Sequence, residues 1–449
     1  MKRRSFIGRT SLGISGLAAI STPLAFLSSA CSTKNNKLEL AVIGCSGKGI
    51  NMVTGAIQKL ENVTIKTLFD FDREKCREAG ETINGSLGYS PVQSQDMESI
   101  FRDKAIAGIF IFLPEHWRAM GTIKACRAGK DVYVDPLPAH SISEGKLMAE
   151  TAKKTKRIIQ CGYLHRSAPS ARAAREYIET GNLGQVVHVK IYNLQNTVLH
   201  LEHSEKNIPE GFDWNHWLGP LHDRPYSPEI YSRLDINGWK TFNDFTAGRM
   251  SEAGNGLDLA RMITGNDNHP SSVFGYETNS MNNTLNRIPE RQIVTWNFED
   301  YTMVCESGDA YGYMKNNITP AAGEENFQNW LMTGNRVEVY GTNDLMYLDT
   351  ESGSWLVLGE NGKIMETMEG AVTETNHVEN FIECMRSREL PAGNIGQGHL
   401  SATLAHMGNI ACRSGNKHLV FDKVNETFIN NDKANALLRP AYRKEFEIV

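Results

Sequence analysis

A chain of 449 residues is too long for one ordinary domain and long enough for two. Hydrophobic residues make up 40% and charged residues 22%, a composition typical of a folded globular protein and not of a disordered one. The formal net charge is -5 and no Lys/Arg run follows the first ten residues, so nothing indicates nucleic-acid binding. The cysteines are scattered singly, without the spacing of a zinc site, and no metal is predicted.

Residues 1–31 have the features of an export signal. Lys2, Arg3 and Arg4 precede Ser-Phe-Ile, and an apolar stretch runs from residue 14 to residue 27. An apolar core this short is typical of a secretory signal and not of a permanent membrane-spanning helix. The Arg-Arg-x-Phe-Ile order is similar to a twin-arginine signal, whose pathway exports folded proteins. A disordered basic tail would not explain the apolar core.

Cys31 follows Ser-Ser-Ala and precedes a polar tether, residues 32–37. This arrangement is similar to the cleavage site of a bacterial lipoprotein. Two destinations are therefore expected: the protein is either anchored to the cell envelope by a lipid on Cys31 or released into the periplasm. A lipid on Cys31 would be its one contact with a membrane.

Residues 38–162 are predicted to form a Rossmann dinucleotide-binding domain. An apolar strand, residues 38–43, leads into Gly-Cys-Ser-Gly-Lys-Gly, a helical pattern and a second strand that ends before an aspartate. Glycines let the backbone approach a pyrophosphate, a helix N-terminus supplies N–H donors, and the acid accepts from ribose hydroxyls. NAD is preferred over NADP because a carboxylate repels a 2′-phosphate. The residues predicted to bind the cofactor in this part are Gly44, Ser46, Gly47, Gly49 and Asp70.

One position departs from the G-x-G-x-x-G pattern. Its middle glycine is replaced by Ser46, whose side chain would lie where the pyrophosphate comes closest, and Gly47 is expected to compensate through a shifted turn. The β–α alternation then continues with strands predicted at residues 108–113, 131–134 and 157–162. Ligands of open α/β sheets bind beyond the carboxyl ends of the strands, so further cofactor contacts are predicted at Leu113, Pro114, His116 and Asp135.

Motifs along the rest of the chain resemble those of one enzyme family. They include Leu-Pro-Glu-His-Trp-Arg-Ala, Ala-Gly-Lys-Asp-Val-Tyr-Val, Ile-Glu-Thr-Gly-Asn-Leu-Gly-Gln-Val, Trp-Leu-Gly-Pro and the terminal Leu-Arg-Pro-Ala-Tyr-Arg. Together they resemble the glucose–fructose oxidoreductase-like (Gfo/Idh/MocA) family, and within it the twin-arginine-exported members common in Bacteroidetes-type bacteria. The resemblance covers nearly all of the chain beyond the signal.

The resemblance implies a second, C-terminal α/β domain over residues 163–449, with a large, mostly antiparallel sheet. In the family this sheet commonly carries the oligomer contact and a wall of the substrate pocket, so a homo-oligomer or a complex with a paralogue is expected. Members typically oxidise or reduce a hydroxyl group of a sugar or cyclitol with NAD(P), and some relatives use a tightly held NAD to cleave glycosidic bonds. In an exported protein the nucleotide would be loaded before export and kept.

The positions that carry acid–base chemistry in the family are changed here. Its usual lysine is replaced by Pro136, and its usual Asp and His, one helical turn apart, are replaced by Ser251 and Asn255. Leu113 replaces the threonine that the family has before Pro-Glu-His, and Arg118 replaces the second histidine of the family's His-Trp-His run. A hydride leaves a carbinol only as its hydroxyl proton leaves, and neither Pro, Ser nor Asn is a suitable base.

Substitute groups are proposed near the crevice. His165 could act as the base while Arg166 holds a negative group. The alternative is that His165 is a structural histidine satisfied by backbone contacts. His116 is a further candidate for contact with the substrate. Aromatic residues between positions 212 and 245 suit the faces of a sugar. Ordinary core and loop packing would use the same residues. His200, Glu202, His203 and Glu205 are read as a solvated face and not as a metal site. Residues predicted to contact a small carbohydrate are Tyr163, Trp239, Lys240, Asn255 and Asp258.

Three functions follow from this reading. The first is an exported NAD(P)-dependent oxidoreductase-family protein that acts on a sugar or glycoside with non-standard acid–base residues. The second is a catalytically degenerate sugar-binding subunit, or a partner of an active paralogue. The third is a redox-assisted glycosidase, lyase or epimerase, which would need a base such as His165.

Overall fold

The computed structural model describes residues 37–195, 207–234, 238–278, 287–309, 333–415 and 417–446. The predicted export signal, Cys31, nearly all of the tether and the polar loop at residues 200–205 lie outside these residues. Within the described ranges, no helix is both long enough and apolar enough to cross a membrane.

The N-terminal part is built on a parallel sheet of six strands, in the order β3-β2-β1-β4-β5-β6. Strand β4 begins and ends two residues earlier than the predicted strand because it pairs with β1, whose last residue Ile43 lies opposite Ile111. The strands are β1 (Leu38–Ile43), β2 (Val63–Phe69), β3 (Val92–Ser94), β4 (Ile106–Ile111), β5 (Asp131–Val134) and β6 (Ile159–Cys161).

Helices connect these strands, and four of the five begin at a side-chain cap; the exception is the fourth, which begins after Pro114. Asp72 accepts from the backbone N–H of Glu74 at the start of the second helix, and Ser141 accepts from the N–H of Glu144 at the start of the fifth. Such caps satisfy backbone donors that have no partner inside the helix. The helices are α1 (Gly47–Ile57), α2 (Arg73–Leu87), α3 (Met97–Arg102), α4 (Glu115–Arg127) and α5 (Ile142–Thr155).

The C-terminal part is built on a sheet of ten strands, in the order β14-β13-β12-β11-β7-β10-β9-β8-β15-β16. Every described pairing in this sheet is antiparallel except that of β7 with β10. The strands are β7 (Val186–Gln195), β8 (Ser272–Thr278), β9 (Arg291–Asn297), β10 (Thr302–Asp309), β11 (Asn335–Gly341), β12 (Leu345–Asp349), β13 (Trp355–Leu358), β14 (Ile364–Met368), β15 (His418–Asp422) and β16 (Thr427–Phe428).

Three of the described helices of the second half pack against one face of this sheet. Trp296 of β9 is fully buried there, and its indole N–H donates to the carbonyl of Leu404. The helices are α6 (Pro169–Glu179), α7 (Trp214–Leu218), α8 (Gly254–Thr264), α9 (Glu374–Ser387), α10 (Ile395–Arg413) and α11 (Asp432–Asn435). The predicted fold class, a Rossmann domain followed by an α/β domain with a mostly antiparallel sheet, is confirmed.

Helix α9 packs on the N-terminal sheet although it is remote from it in sequence. Phe381 is fully buried and meets the rings of Phe110 and Tyr133 at centroid distances of 5.5 and 5.9 Å. Met385 of the same helix lies against Gly108, where a Cβ atom would come within 2.7 Å of the methionine methyl group. The core of the Rossmann part is therefore completed by a helix from beyond residue 163.

Candidate active site

A cavity of about 860 Å³ lies beyond the carboxyl ends of β1, β2, β4 and β5. This volume is within the range of roughly 300–1,000 Å³ that ligand pockets usually have. Residues from both parts of the molecule line it, because the 3₁₀ helices 238–241 and 249–253 and the start of α8 close it from the other side. A ligand in this cavity would contact both the N-terminal part and the C-terminal part of the molecule.

The glycine-rich turn forms one end of the cavity. Gly44 has a φ of 90°, and a Cβ there would lie 2.7 Å from the carbonyl carbon of Phe112, so only glycine fits. Ser46 is the N-cap of α1, and its Oγ accepts from the N–H of Gly49 at 3.2 Å. Gly47 opens the helix, and a Cβ there would meet no atom within 4 Å. The serine that departs from the sequence pattern thus has a structural role, and the helix N-terminus can receive an anion.

Asp70 follows β2 and lies in the cavity lining. Its Oδ2 accepts from the N–H of Cys45 at 2.7 Å and its Oδ1 accepts from the N–H of Asp72 at 2.9 Å. Burial raises the pKa of Asp70 to about 6, while the two backbone N–H groups act in the opposite direction. The carboxylate is therefore held in one orientation next to the glycine-rich turn.

Leu113 and Pro114 line the cavity as predicted, but His116 does not. His116 is 1% exposed, and its Nε2 lies 3.0 Å from the carbonyl oxygen of Trp217. Burial lowers its pKa to about 3, so the ring is neutral near neutral pH. In the first turns of α4 it is Glu115 and Arg118 that face the cavity. The expectation that His116 contacts cofactor or substrate is therefore not supported.

Arg118 was noted in the sequence only as a departure from the family pattern, yet it holds the end of β5. Its Nε donates to the carbonyl of Leu113, and its Nη1 donates to the carbonyls of Pro136 and Leu137, each at 2.9 Å. Its Nη2 lies 3.8 Å from the carboxylate of Asp135. Burial raises the pKa of Asp135, and the guanidinium counteracts that rise. A cation thus lies at the cavity beside Pro136.

Pro136, Ser251 and Asn255, which the family resemblance aligns with acid–base residues, all line the cavity. Ser251 and Asn255 were expected one turn apart on a single helix. They instead belong to two elements, because a 3₁₀ helix ends at Ala253 and α8 begins at Gly254. The Oγ of Ser251 is buried and has no hydrogen-bond partner among the described residues. None of the three side chains can exchange a proton near neutral pH.

His165 also lines the cavity, at its second-domain side. Its Nε2 lies 2.8 Å from the carbonyl oxygen of Thr350, so this nitrogen carries the proton and Nδ1 holds the lone pair. Nδ1 is buried without a partner among the described residues, and burial lowers the pKa of the ring. Both features expected from the sequence therefore apply to His165: a backbone contact holds the ring, and the neutral ring keeps a nitrogen that can accept a proton.

Three other predicted site residues lie outside the cavity lining. Arg166 forms a buried ion pair with Asp258, with 2.8 Å between Nη2 and Oδ1, and Asp258 also accepts from the Oγ of Ser401 at 2.6 Å. Tyr163 is 1% exposed, and its hydroxyl has no partner in the described part of the chain. The charges of Arg166 and Asp258 neutralise each other, so neither is available to a substrate in the cavity.

Trp239 and Lys240 do line the cavity, on the 3₁₀ helix 238–241. The Lys240 side chain is exposed, and its Nζ lies 5.6 Å from the centroid of the Trp239 ring. Other cavity groups escaped the sequence analysis because they come from distant segments: Tyr192, Thr350, Glu351 and Glu374. Ser251 and Glu252, neighbours on the 3₁₀ helix 249–253, both line the cavity.

A sequence comparison supports the resemblance seen in the motifs. Residues 357–448 match the oxidoreductase-family (Gfo/Idh/MocA) C-terminal alpha/beta domain. The chain is 29% identical over 97 residues to scyllo-inositol 2-dehydrogenase (NAD(+)) of Bacillus subtilis, a match that covers 22% of this chain and 28% of that protein. It is 28% identical over 102 residues to levoglucosan dehydrogenase of Pseudarthrobacter phenanthrenivorans, covering 23% and 26%. The chain thus spans little more than a quarter of the length of either relative.

Solved structures share the fold over a much longer stretch. A levoglucosan dehydrogenase in complex with NADH superimposes with a TM-score of 0.63 at 15% identity, covering 86% of this chain and 100% of that one. At this identity the likeness establishes the common fold.

Proposed function

We propose that this protein is an NAD-dependent oxidoreductase that acts on a hydroxyl group of a small sugar or cyclitol. The observation that carries the proposal is the cavity, in which a glycine-rich turn, the N-terminus of α1 and the carboxylate of Asp70 lie at one end. The other end is formed by Pro136, Trp239 and Lys240. The inositol and levoglucosan dehydrogenases to which parts of the chain are similar act on polyhydroxylated rings of this kind.

The residues at the first end fit a dinucleotide. The open space at Gly47 and the cap at Ser46 leave room for a phosphate at the start of α1, and Lys48 beside them lines the cavity with a positive charge. The fixed carboxylate of Asp70 suits the two hydroxyls of an unmodified ribose and would repel a 2′-phosphate, which favours NAD. A bound NAD would supply the hydride acceptor, and this chain's residues would orient the sugar and receive its proton.

A second candidate function is a sugar-binding subunit that has lost catalysis. It is favoured by one observation: Pro136, Ser251 and Asn255 line the cavity at the positions that carry acid–base groups in the family, and none of them titrates near neutral pH. A subunit of this kind would bind sugar or a catalytic paralogue and would not turn over alone. Three rings of the predicted aromatic segment, Trp217, Tyr231 and Trp239, line the cavity and would serve either function.

A third candidate is a redox-assisted glycosidase, lyase or epimerase, in which His165 accepts a proton from a sugar carbon. The neutral ring of His165, with its Nδ1 lone pair unpartnered among the described residues, supports this possibility. The replacement His165→Gln keeps the donation to Thr350 and removes the base. It should abolish such activity while leaving nucleotide binding unchanged.

One experiment separates an enzyme from a binding subunit. The chain is expressed with its N-terminal segment, purified and denatured, and any released nucleotide is identified by mass spectrometry. Near-stoichiometric NAD would support the proposed oxidoreductase and justify a screen of sugars, cyclitols and glycosides for turnover. A protein that carries no nucleotide and also fails to bind added NAD would contradict it, and a search for a paralogous partner would then follow.

We further propose that the protein is exported through the twin-arginine pathway and acts in the periplasm or on the envelope. Arg3 and Arg4 before an apolar stretch support the pathway, and Cys31 supports a lipid anchor. Replacing both arginines by lysine should keep the protein in the cytoplasm, and Cys31→Ala should release it from the membrane fraction. Unchanged fractionation of either variant would contradict the corresponding part of the proposal.

A further inference from the structure

Three potential metal ligands meet at a place that is not part of the cavity lining. His269 lies in the segment before β8, His399 lies on α10, and Glu426 lies in the turn between β15 and β16. The Nε2 atoms of His269 and His399 lie 3.1 and 2.9 Å from the same oxygen, Oε1 of Glu426. One ligand atom from each residue lies within 4.8 Å of the other two.

The cluster is shielded from solvent. The side chains of His269, His399 and Glu426 are 8%, 8% and 13% exposed. The Nδ1 atoms of both histidines and the Oε2 atom of Glu426 are buried without a hydrogen-bond partner among the described residues. The two Nδ1 atoms lie on the far side of each ring from Nε2, so the Oε2 atom of Glu426 is the unsatisfied atom within the cluster. A buried polar atom without a hydrogen-bond partner indicates a missing water or ion.

We propose that His269, His399 and Glu426 bind a divalent transition-metal ion, with zinc as the expected occupant. Two imidazole nitrogens and one carboxylate oxygen suit Zn²⁺, whereas Mg²⁺ and Ca²⁺ prefer oxygen ligands alone. An ion bound at the usual Zn–N and Zn–O distances of about 2.0–2.2 Å would replace the two hydrogen bonds that the histidines make with Glu426, and the three side chains would turn to share it. The proposal is independent of the proposed oxidoreductase activity.

The surroundings hold the donors in place. A Cβ at residue 145 would lie 2.5 Å from the Nδ1 of His399, so Gly145 on α5 leaves just enough room for the ring and keeps its Nε2 directed at Glu426. Lys146 of the same helix places its Nζ 3.7 Å from the Oε2 of Glu426. The ammonium group of Lys146 would repel a bound metal ion. Because the Lys146 side chain is 42% exposed, it can turn away into solvent.

The ion would have a structural role. It would tie together α10, the segment before β8 and the β15–β16 turn, three elements that are far apart in the sequence. Because the unfolded chain does not hold the three donors together, metal binding would stabilise the folded state. The protein should therefore melt at a higher temperature with zinc than after treatment with a chelator.

The test uses the untagged full chain, stripped with a chelator and dialysed against zinc chloride or cobalt chloride. We expect about one equivalent of zinc per chain by elemental mass spectrometry and a visible absorption spectrum typical of tetrahedral Co²⁺. His399→Gln and Glu426→Gln should weaken zinc binding by about tenfold to a hundredfold or more. The matched control is His418→Gln, which removes an exposed histidine of β15 and should bind zinc like the original protein.

Two outcomes would overturn the proposal. The first is the absence of zinc and of a cobalt spectrum in the original protein, which needs no variant to interpret. The second is equal zinc content in the original protein and in a folded Glu426→Gln variant, which would assign the metal to surface histidines. If the ligand variants fail to fold, Gly145→Ala tests the same site, because the added methyl group displaces His399 and should weaken zinc binding.

Discussion

Arg118 of α4 donates two hydrogen bonds from Nη1 to the main-chain oxygens of Pro136 and Leu137, both at 2.9 Å. The guanidinium is almost fully buried and also binds the carbonyl of Leu113, so it joins the ends of β4 and β5 at the floor of the cavity. The segment Pro136–Leu137 is therefore shaped by a cation from the neighbouring helix.

Replacing Arg118 by Met should destabilise the protein. Three carbonyl acceptors would lose a charged donor. Because the contributions of neighbouring hydrogen bonds do not add, we expect a total loss of about 3–5 kcal/mol in the free energy of unfolding, as for the removal of one member of a buried charged network. Urea denaturation measures it. The control is Arg102→Met, whose side chain is 69% exposed and should cost less than about 1 kcal/mol. Equal stability of the two variants would show that Arg118 does not hold this segment.

The pKa of Asp70, raised to about 6 by burial, predicts a pH dependence of nucleotide binding. Above pH 6 the side chain is a carboxylate that accepts from ribose hydroxyls, and below pH 6 it becomes a neutral, weaker acceptor. The affinity for NADH should therefore fall several-fold between pH 8 and pH 5, in a titration followed by NADH fluorescence. Asp70→Asn should bind weakly at every pH. A flat profile for the original protein would exclude Asp70 as the ribose acceptor.

The same shift affects stability in the opposite direction. Because the pKa of Asp70 is higher in the folded protein than its usual value of 3.8, folding favours the protonated form. The stabilisation from Asp70 is complete below pH 4 and is lost as the pH rises through 6. Bound NAD would offset this loss, so the increase in melting temperature caused by NAD should be larger at pH 8 than at pH 5.

Restoring a lysine at Pro136 alone should not create strong dehydrogenase activity. Ser251 and Asn255 would still lack a group that exchanges protons, and Arg118 already occupies the adjacent space with a positive charge. The measurement is NAD reduction with inositols and simple sugars, with the triple variant Pro136→Lys, Ser251→Asp, Asn255→His as the comparison. Robust turnover by the single variant would show that the roles of Ser251 and Asn255 have been misjudged.

The outer face of the large sheet predicts an oligomer. Tyr276 of β8 lies directly opposite Ile293 of β9, and these side chains are 51% and 42% exposed; Phe274 and Val420 beside them are each 44% exposed. Changing Tyr276 and Ile293 together to lysine should lower the mass measured by light scattering, because an apolar contact would be replaced by charge. The control is Leu390→Lys, 79% exposed near a helix end. A monomeric original protein would contradict the expected homo-oligomer.

Local signals predict most strands of the N-terminal sheet, although they miss β3, and β6 is shorter than the predicted strand 157–162. Strands β1 and β5 have the predicted bounds, 38–43 and 131–134, and β2 ends before Asp70 as predicted, because each of these strands stops at a glycine or an aspartate. Strand β4 was misplaced by two residues because its ends depend on pairing with β1. Helix α9 could not be assigned to the N-terminal sheet from sequence, since its apolar face would fit any buried surface.

The sequence by itself determined that residues 38–69 form a β–α–β unit with a glycine-rich turn, and it predicts that Pro136, Ser251 and Asn255 depart from the family's acid–base set. Only the tertiary structure decided which polar groups meet. It pairs Arg166 with Asp258, turns His116 away from the cavity, brings Arg118 to Pro136, and gathers His269, His399 and Glu426. The physical reason is that hydrogen bonds and ion pairs depend on distances of about 3 Å between side chains, which sequence spacing specifies only within one helix or strand.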